Sequence, residues 1–362
     1  MRILLTADPI GGVWNYVLEL CAALRPLHGV IALATLGRPL TRAQHEQLAG
    51  LDHVTLYESA FRLEWMPQPW EDLARAAEWL LDIEKKFNPD VIHLNHLVHA
   101  DLPWRAPVVT VGHSCVLSWW KAVRGTTIDA QWSTYRERVT ASLRAAACVI
   151  APTHAMLTSL QENYGPFRDC AVIHNARNGR LFSPRQKQPL VLCAGRLWDA
   201  AKNVTVLTAV APRINGRVVV AGEDVGPDGA RARISGVELL GCLSPAALAS
   251  WYARASIYAL PARYEPFGLT ALEAAWSGCA LVLGNIESLR ELWGAAACYV
   301  SPDDAEGWCD VLNGLLRNDS LRKRMAARAM ARARQFAPAE LGARYHDIYR
   351  NLGCDLRCST TR

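Results

Sequence analysis

Residues 264 to 279 read Y-E-P-F-G-L-T-A-L-E-A-A-W-S-G-C and place two carboxylates, Glu265 and Glu273, with seven residues between them. A strand-like run, Ser256 to Pro261, leads into a turn bearing Glu265, Pro266 and Gly268, and an apolar helix follows from about Leu269 to Trp276. Glu265 is expected on the loop and Glu273 about one turn into the helix. The unbonded amides of the first helical turn lie between them, which suits an anion or a hydroxyl-rich ligand. Thr270 and Glu273 also have the T-x-x-E spacing of a capping box, by which Glu273 would serve the helix start alone. That reading leaves Glu265, Pro266 and Gly268 without a purpose.

A second cluster lies in A-G-R-L-W-D-A-A-K-N, residues 194 to 203. A strand ends at Gly195, Arg196 follows, and Lys202 is expected at the start of the next helix, facing the positive end of its dipole. That position is unfavourable by a few tenths of a kcal/mol or more, and an anion between Arg196 and Lys202 reverses the sign. Arginine forks onto phosphate oxygens and lysine adds a point charge, so the pair would neutralise a diphosphate without a metal. Pairing with Asp199 is the weaker alternative.

Three further signals are less specific. Gly11-Gly12 stands between the strand Arg2 to Thr6 and a helix with Val13, Val17, Leu20 and Leu24 on one face; it lacks G-x-G-x-x-G and reads equally as a tight turn. His113 ends V-V-T-V-G-H at the carboxyl end of a strand. His93, His96 and His99 have metal-ligand spacing for a helix, but P-D-V-I-H-L reads as a strand, where residues three apart point to opposite faces. There is no D-x-D, H-E-x-x-H or Walker-type loop, so clamping a diphosphate through acidic side chains and Mg²⁺ is disfavoured and no metal or cofactor is expected. Trp119, Trp120, Lys121 and Arg124 form an aromatic and basic group open to three readings: a buried helix start, an acceptor platform or a membrane-surface contact.

The elements that must hold these residues alternate strand and helix almost throughout, the pattern of α/β architecture with parallel sheets. A length of 362 residues favours two domains. The boundary is placed in the polar, proline-bearing segment Ser183 to Gln188: residues 1–183 form a first Rossmann-like domain, 184–337 a second, and 338–362 a returning helix with a tail. Two doubly wound domains facing across a deep cleft put the strand carboxyl ends on the cleft side. The net charge of +5 suits phosphate-bearing ligands or a peripheral visit to an anionic membrane; the basic residues are dispersed, and no nucleic-acid partner is expected. Residues 320 to 334, rich in arginine, read as a solvated helix face. No apolar run approaches about 18 residues and the N-terminus is too short and too soon acidic for a signal peptide, so a cytoplasmic protein is expected. Eleven cysteines without a C-x-x-C pair indicate neither a disulfide framework nor a zinc site, and Cys354 and Cys358 are expected to be exposed.

Taken together, Gly11-Gly12, His113, G-R-L with Lys202, and E-P-F-G-L-T-A-L-E resemble the retaining GT-B glycosyltransferases of family 4. The resemblance covers nearly the whole chain; one departure is that Lys202 lies six positions beyond Arg196, where many members have five. It implies a metal-independent enzyme that moves a hexose from a nucleoside diphosphate sugar to an acceptor hydroxyl on a glycan, lipid or small molecule. It assigns the Gly12 amide, with Gly11, to the donor phosphate, and Arg196 and Lys202 to the diphosphate. Glu265 goes to hydroxyls of the donor sugar, the amides of Gly268, Leu269 and Thr270 to the sugar or its phosphate, Glu273 to the ribose, and His113 to the reacting face. Two rival readings use the same scaffold: a nucleotide-sugar epimerase or hydrolase, and a non-catalytic nucleotide-sugar-binding subunit.

Overall fold

Short runs rich in Val, Ile, Leu and Ala, too short for stable helices and apolar on both faces, form buried parallel strands. The computed structural model describes residues 1–126, 128–226 and 229–359, with side chains described as far as Gly353, so the side chains of Cys354 and Cys358 lie outside the described residues. Two compact units result. One comprises Met1–Lys121, Thr126–Ala176 and the chain from Pro338 onward; the other comprises Ala122–Gly125 and Arg177–Ala337.

The first unit carries β1 (Arg2–Ala7), β2 (Val30–Thr35), β3 (Val54–Glu58), β4 (Val91–Leu94), β5 (Val108–Val111), β6 (Cys148–Ala151) and β7 (Cys170–Val172). They form a seven-stranded sheet in the order β3-β2-β1-β4-β5-β6-β7. The second unit carries β8 (Gln188–Ala194), β9 (Arg217–Ala221), β10 (Glu238–Leu239), β11 (Ala255–Leu260), β12 (Ala280–Gly284) and β13 (Cys298–Val300), in the order β10-β9-β8-β11-β12-β13. Every pairing in these two sheets is parallel. Both therefore repeat the doubly wound Rossmann order, which reverses direction between the first and fourth strands and opens a crevice at their carboxyl ends. Gly11 and Gly12 follow β1, Arg196 follows β8 and Glu265 follows β11, so each lies at such a switch point.

The helix Pro338–Ser359 belongs to the first unit and packs on the helix Gly12–Leu24. Leu341, Tyr345 and Tyr349, one turn apart, join Val17, Leu20 and Leu24 in its core. The helices approach closely at Gly342, where a Cβ atom would stand 2.8 Å from the Ala23 carbonyl oxygen. Among the described residues no helix is long and apolar enough to cross a membrane. The arginine-rich helix, Asp319–Ala333, is not simply a solvated face: Arg322 donates to the carbonyls of Leu315 and Leu316, and Arg332 to that of Leu292, closing the ends of two preceding helices.

Of the three neighbouring histidines, His96 and His99 form a hydrogen-bonded wire in the first unit, and His93 stands apart from it, so the three are not a ligand set. His99 Nε2 lies 2.9 Å from the Leu73 carbonyl, which only accepts, so Nε2 holds the proton and Nδ1 is an acceptor. His96 Nε2 therefore donates to His99 Nδ1 at 2.9 Å, and the Thr6 hydroxyl donates to His96 Nδ1 at 3.0 Å. His93 turns instead toward Tyr349 and Asn95. With these lone pairs engaged, His96 and His99 have none to offer a cation. Burial pushes the pKa of His93 and His113 down to about 3, with His113 adding to the shift of His93, and holds His96 and His99 below 6.5 as well. In the unfolded chain these rings protonate near pH 6.5. Their contribution to stability is thus present above about pH 6.5 and is lost as the pH falls toward 3. Urea unfolding midpoints measured from pH 7.5 to pH 5 are expected to decline below about pH 6.5, whereas a flat profile would mean that the folded rings take up protons freely.

Candidate active site

In the second unit the loop after β8 turns at Asp199, whose Oδ1 accepts from the Ala201 amide at 3.0 Å and caps a short 3-10 turn, Ala200–Lys202. Lys202 thus ends a turn instead of opening a helix; the next helix is Thr205–Val210. Lys202 therefore does not face the positive end of a helix dipole. What compensates the ammonium is a carboxylate: Lys202 Nζ lies 2.5 Å from Glu265 Oε2, with the two side chains 14% and 12% exposed. Arg196 adopts the Asp199 pairing, at 3.0 Å, while its side chain remains 41% exposed and its guanidinium sits 5.4 Å from the Trp198 ring centroid.

The loop after β11 brings Glu265 to the start of the helix Leu269–Trp276. The N-cap is Gly268, at φ 85° and ψ 62°, a left-handed conformation that glycine adopts without strain, and no side chain caps this end. The capping-box reading is therefore overturned: Thr270 lies inside the helix, and its hydroxyl meets Tyr258 Oη at 2.7 Å. Tyr258 also reaches the Ala194 carbonyl at 3.1 Å, tying the loop after β8 to the helix start. Among the described residues none accepts a hydrogen bond from the amides of Gly268, Leu269 or Thr270. Two cations, a carboxylate and a run of open amides therefore converge at one switch point.

Glu273 lies one turn deeper, 5% exposed, with Oε1 2.8 Å from Arg177 Nε. Arg177 went unremarked in the sequence because H-N-A-R-N-G reads as turn chemistry; the only available signal was an arginine within an otherwise small and polar turn.

The first unit presents Gly11 at φ 72° and ψ −141°, at the uncapped start of the helix Gly12–Leu24, with both glycines exposed. His113 lies two residues beyond β5. Its ring meets Tyr16, from that same helix, edge-on at 4.5 Å between centroids, and its Nε2 lies 2.8 Å from Asn95 Oδ1. Trp119 and Trp120 sit half-buried on the helix Val116–Arg124, where Trp120 Nε1 donates to the Thr126 hydroxyl.

The Arg177–Glu273 pair carries a stability prediction. Arg177→Ala leaves a buried carboxylate without this partner and should cost about 3–5 kcal/mol in urea unfolding, with Arg177→Lys recovering part of the loss. A change under about 0.5 kcal/mol would mean that other groups packed on Glu273, Tyr252 among them, already compensate its charge.

Residues 10–178 match the model for Glycosyltransferase Family 4, and residues 188–318 match Glycosyl transferases group 1. Similar curated proteins include a D-inositol 3-phosphate glycosyltransferase from Nocardioides sp., 28% identical over 46% of this chain and 43% of its own. A phosphatidyl-myo-inositol mannosyltransferase from Mycolicibacterium smegmatis is 29% identical over 45% of each chain. The chain thus spans less than half the length of these curated relatives. Among solved structures, a sucrose-phosphate synthase from Thermosynechococcus elongatus superposes with a TM-score of 0.80 at 20% identity, covering 98% of this chain and 100% of its own. Anabaena HepE in complex with UDP-glucose gives 0.76 at 18% identity, covering 97% and 100%. At such identities the likeness establishes a fold, and the fold is GT-B. With both halves matched in sequence and both sheets wound in the same order, the chain belongs to the GT4-like glycosyltransferases of the GT-B fold.

Proposed function

We propose that this chain moves a hexose from a nucleoside diphosphate sugar to an acceptor hydroxyl, without a metal ion and with retention at the anomeric carbon. The observation that carries the reading is the Lys202–Glu265 contact beside the open amides of Gly268, Leu269 and Thr270. A diphosphate arriving there finds an ammonium already held in place and amides aimed outward at a helix N-terminus. Lys202 turns from Glu265 to the phosphate, and Glu265 is released to accept from hydroxyls of the sugar. Arg196, more exposed, forks onto the same diphosphate and stabilises charge on the departing nucleotide. The two cations together supply the charge that a metal would bring.

Glu273, oriented by Arg177, accepts from the ribose hydroxyls. The amide of Gly12, with Gly11 supplying the turn, contacts the donor phosphate, and His113 stands beside the donor sugar. The acceptor oxygen attacks from the side the nucleotide leaves, its proton passing to a donor phosphate oxygen. The UDP-glucose held by Anabaena HepE makes uridine donors the first to test, and the names of the curated relatives make D-inositol 3-phosphate a first acceptor.

A thermal-shift series with UDP, GDP, ADP and their hexose conjugates should raise the unfolding temperature for one base and not the others, because ligand binding to the folded state alone stabilises it. Transfer should persist in EDTA. Arg196→Ala should lower transfer about 100-fold with little change in unfolding temperature, as expected for an exposed side chain acting on the leaving group. No shift with any nucleotide, or loss of transfer on chelation that added metal restores, would contradict the reading.

A further inference from the structure

The loop after β4 joins four side chains of the first unit into a network that the donor contacts do not require. Asn95 Nδ2 donates to the Thr6 carbonyl at 2.7 Å, and its backbone amide donates to Thr6 Oγ1 at 2.9 Å. A carbonyl can only accept, so the amide group has one orientation, with Oδ1 turned the other way. Two imidazoles meet that oxygen: His113 Nε2 at 2.8 Å and His93 Nε2 at 3.2 Å. An amide oxygen also can only accept, so both Nε2 atoms carry protons. On its far side, His93 Nδ1 lies 2.5 Å from Tyr349 Oη and accepts a hydrogen bond from that hydroxyl. The Tyr16 hydroxyl also approaches His93 Nε2, at 3.5 Å, a longer contact than the one to Asn95. Burial keeps both rings neutral, and a neutral imidazole has one N–H, so His113 Nδ1 retains its lone pair. Among the described residues none donates to that nitrogen.

From this geometry we propose that Asn95 is a positioning residue for transfer: it fixes the His113 ring and its Nε2–H tautomer so that an unprotonated Nδ1 accepts a hydrogen bond from a hydroxyl of the donor sugar. The inference rests on the reading of His113 as a donor-facing group. Tyr349 extends the same control, because its hydroxyl holds His93 in the matching tautomer and lets both rings share one acceptor. A helix from the far end of the chain thereby sets the state of a residue beside the reacting face.

Two experiments on the full chain separate the parts. Imidazole ¹⁵N spectra of the unliganded protein should show His113 with a protonated Nε2 and a bare Nδ1, and Asn95→Ala should move its signals toward a tautomer average. A wild-type spectrum with Nδ1 protonated would overturn the inference, and it decides the matter even if Asn95→Ala fails to fold. The second experiment is a double-mutant cycle on transfer. Asn95→Ala should lower kcat about tenfold in the wild-type background, the effect of one hydrogen bond, and change little in a His113→Ala background. Equal losses in both backgrounds would reduce Asn95 to a structural part and overturn its positioning role. If His113→Ala keeps full transfer, the donor-facing reading falls and the functional half of the inference with it, a result distinct from a wrong tautomer in the spectrum.

Discussion

Lys202 brings a positive charge into a site where its side chain keeps 14% of its exposure, and the Glu265 carboxylate at 2.5 Å answers it. An ammonium taken out of water costs several kcal/mol unless a partner offsets the loss, so neither residue is tolerable there alone. The loops are built to make the meeting possible. Asp199 caps the turn that ends at Lys202, Tyr258 ties the end of β8 to Thr270, and the left-handed Gly268 starts a helix without a side-chain cap. Under the proposed function the pair is a closed form of the donor site: a diphosphate takes the ammonium, and the carboxylate turns to sugar hydroxyls.

The same economy recurs one turn deeper and in the other unit. Glu273 is buried against Arg177, so a carboxylate proposed for the ribose has its charge answered before any ligand arrives. His113 is held by Asn95, itself anchored on Thr6 at the end of β1. In each case a neighbour contacts a group to which the proposed function gives a ligand. Two sheets of like strand order place these groups at their switch points, which is why residues distant in sequence meet.

Much of the fold was legible because buried parallel strands leave a plain trace: unbroken apolar runs such as Val108–Val111 and Ala280–Gly284 admit little else. The helices Trp70–Phe87 and Leu269–Trp276 were equally plain, one from its amphipathic period and one from the turn before it. The helices Arg42–Leu48 and His154–Tyr164 leave little trace, since their short or polar stretches resemble loops until a core covers one face, whereas Ala305–Arg317 carries a helical stripe in Trp308, Leu312 and Leu315 that the sequence does offer. At the site, residue types and spacing marked Arg196, Lys202, Glu265 and Glu273, but their partners followed no local rule. The T-x-x-E spacing pointed to a cap at Thr270, yet the chain enters the helix through Gly268, two residues earlier. Arg177 and Asn95 act across long sequence separations, through contacts that exist only once the sheets have formed. The metal reading of His93, His96 and His99 was already weak from strand geometry, and the hydrogen-bond directions give those nitrogens other work.

If the Lys202–Glu265 pair opens to admit a diphosphate, a crystal structure of the protein with the nucleoside diphosphate it binds will show phosphate oxygens on the amides of Leu269 and Thr270 and on Lys202 Nζ, with the Lys202–Glu265 distance well beyond 2.5 Å. A nucleotide bound elsewhere while the pair stays intact would contradict that opening.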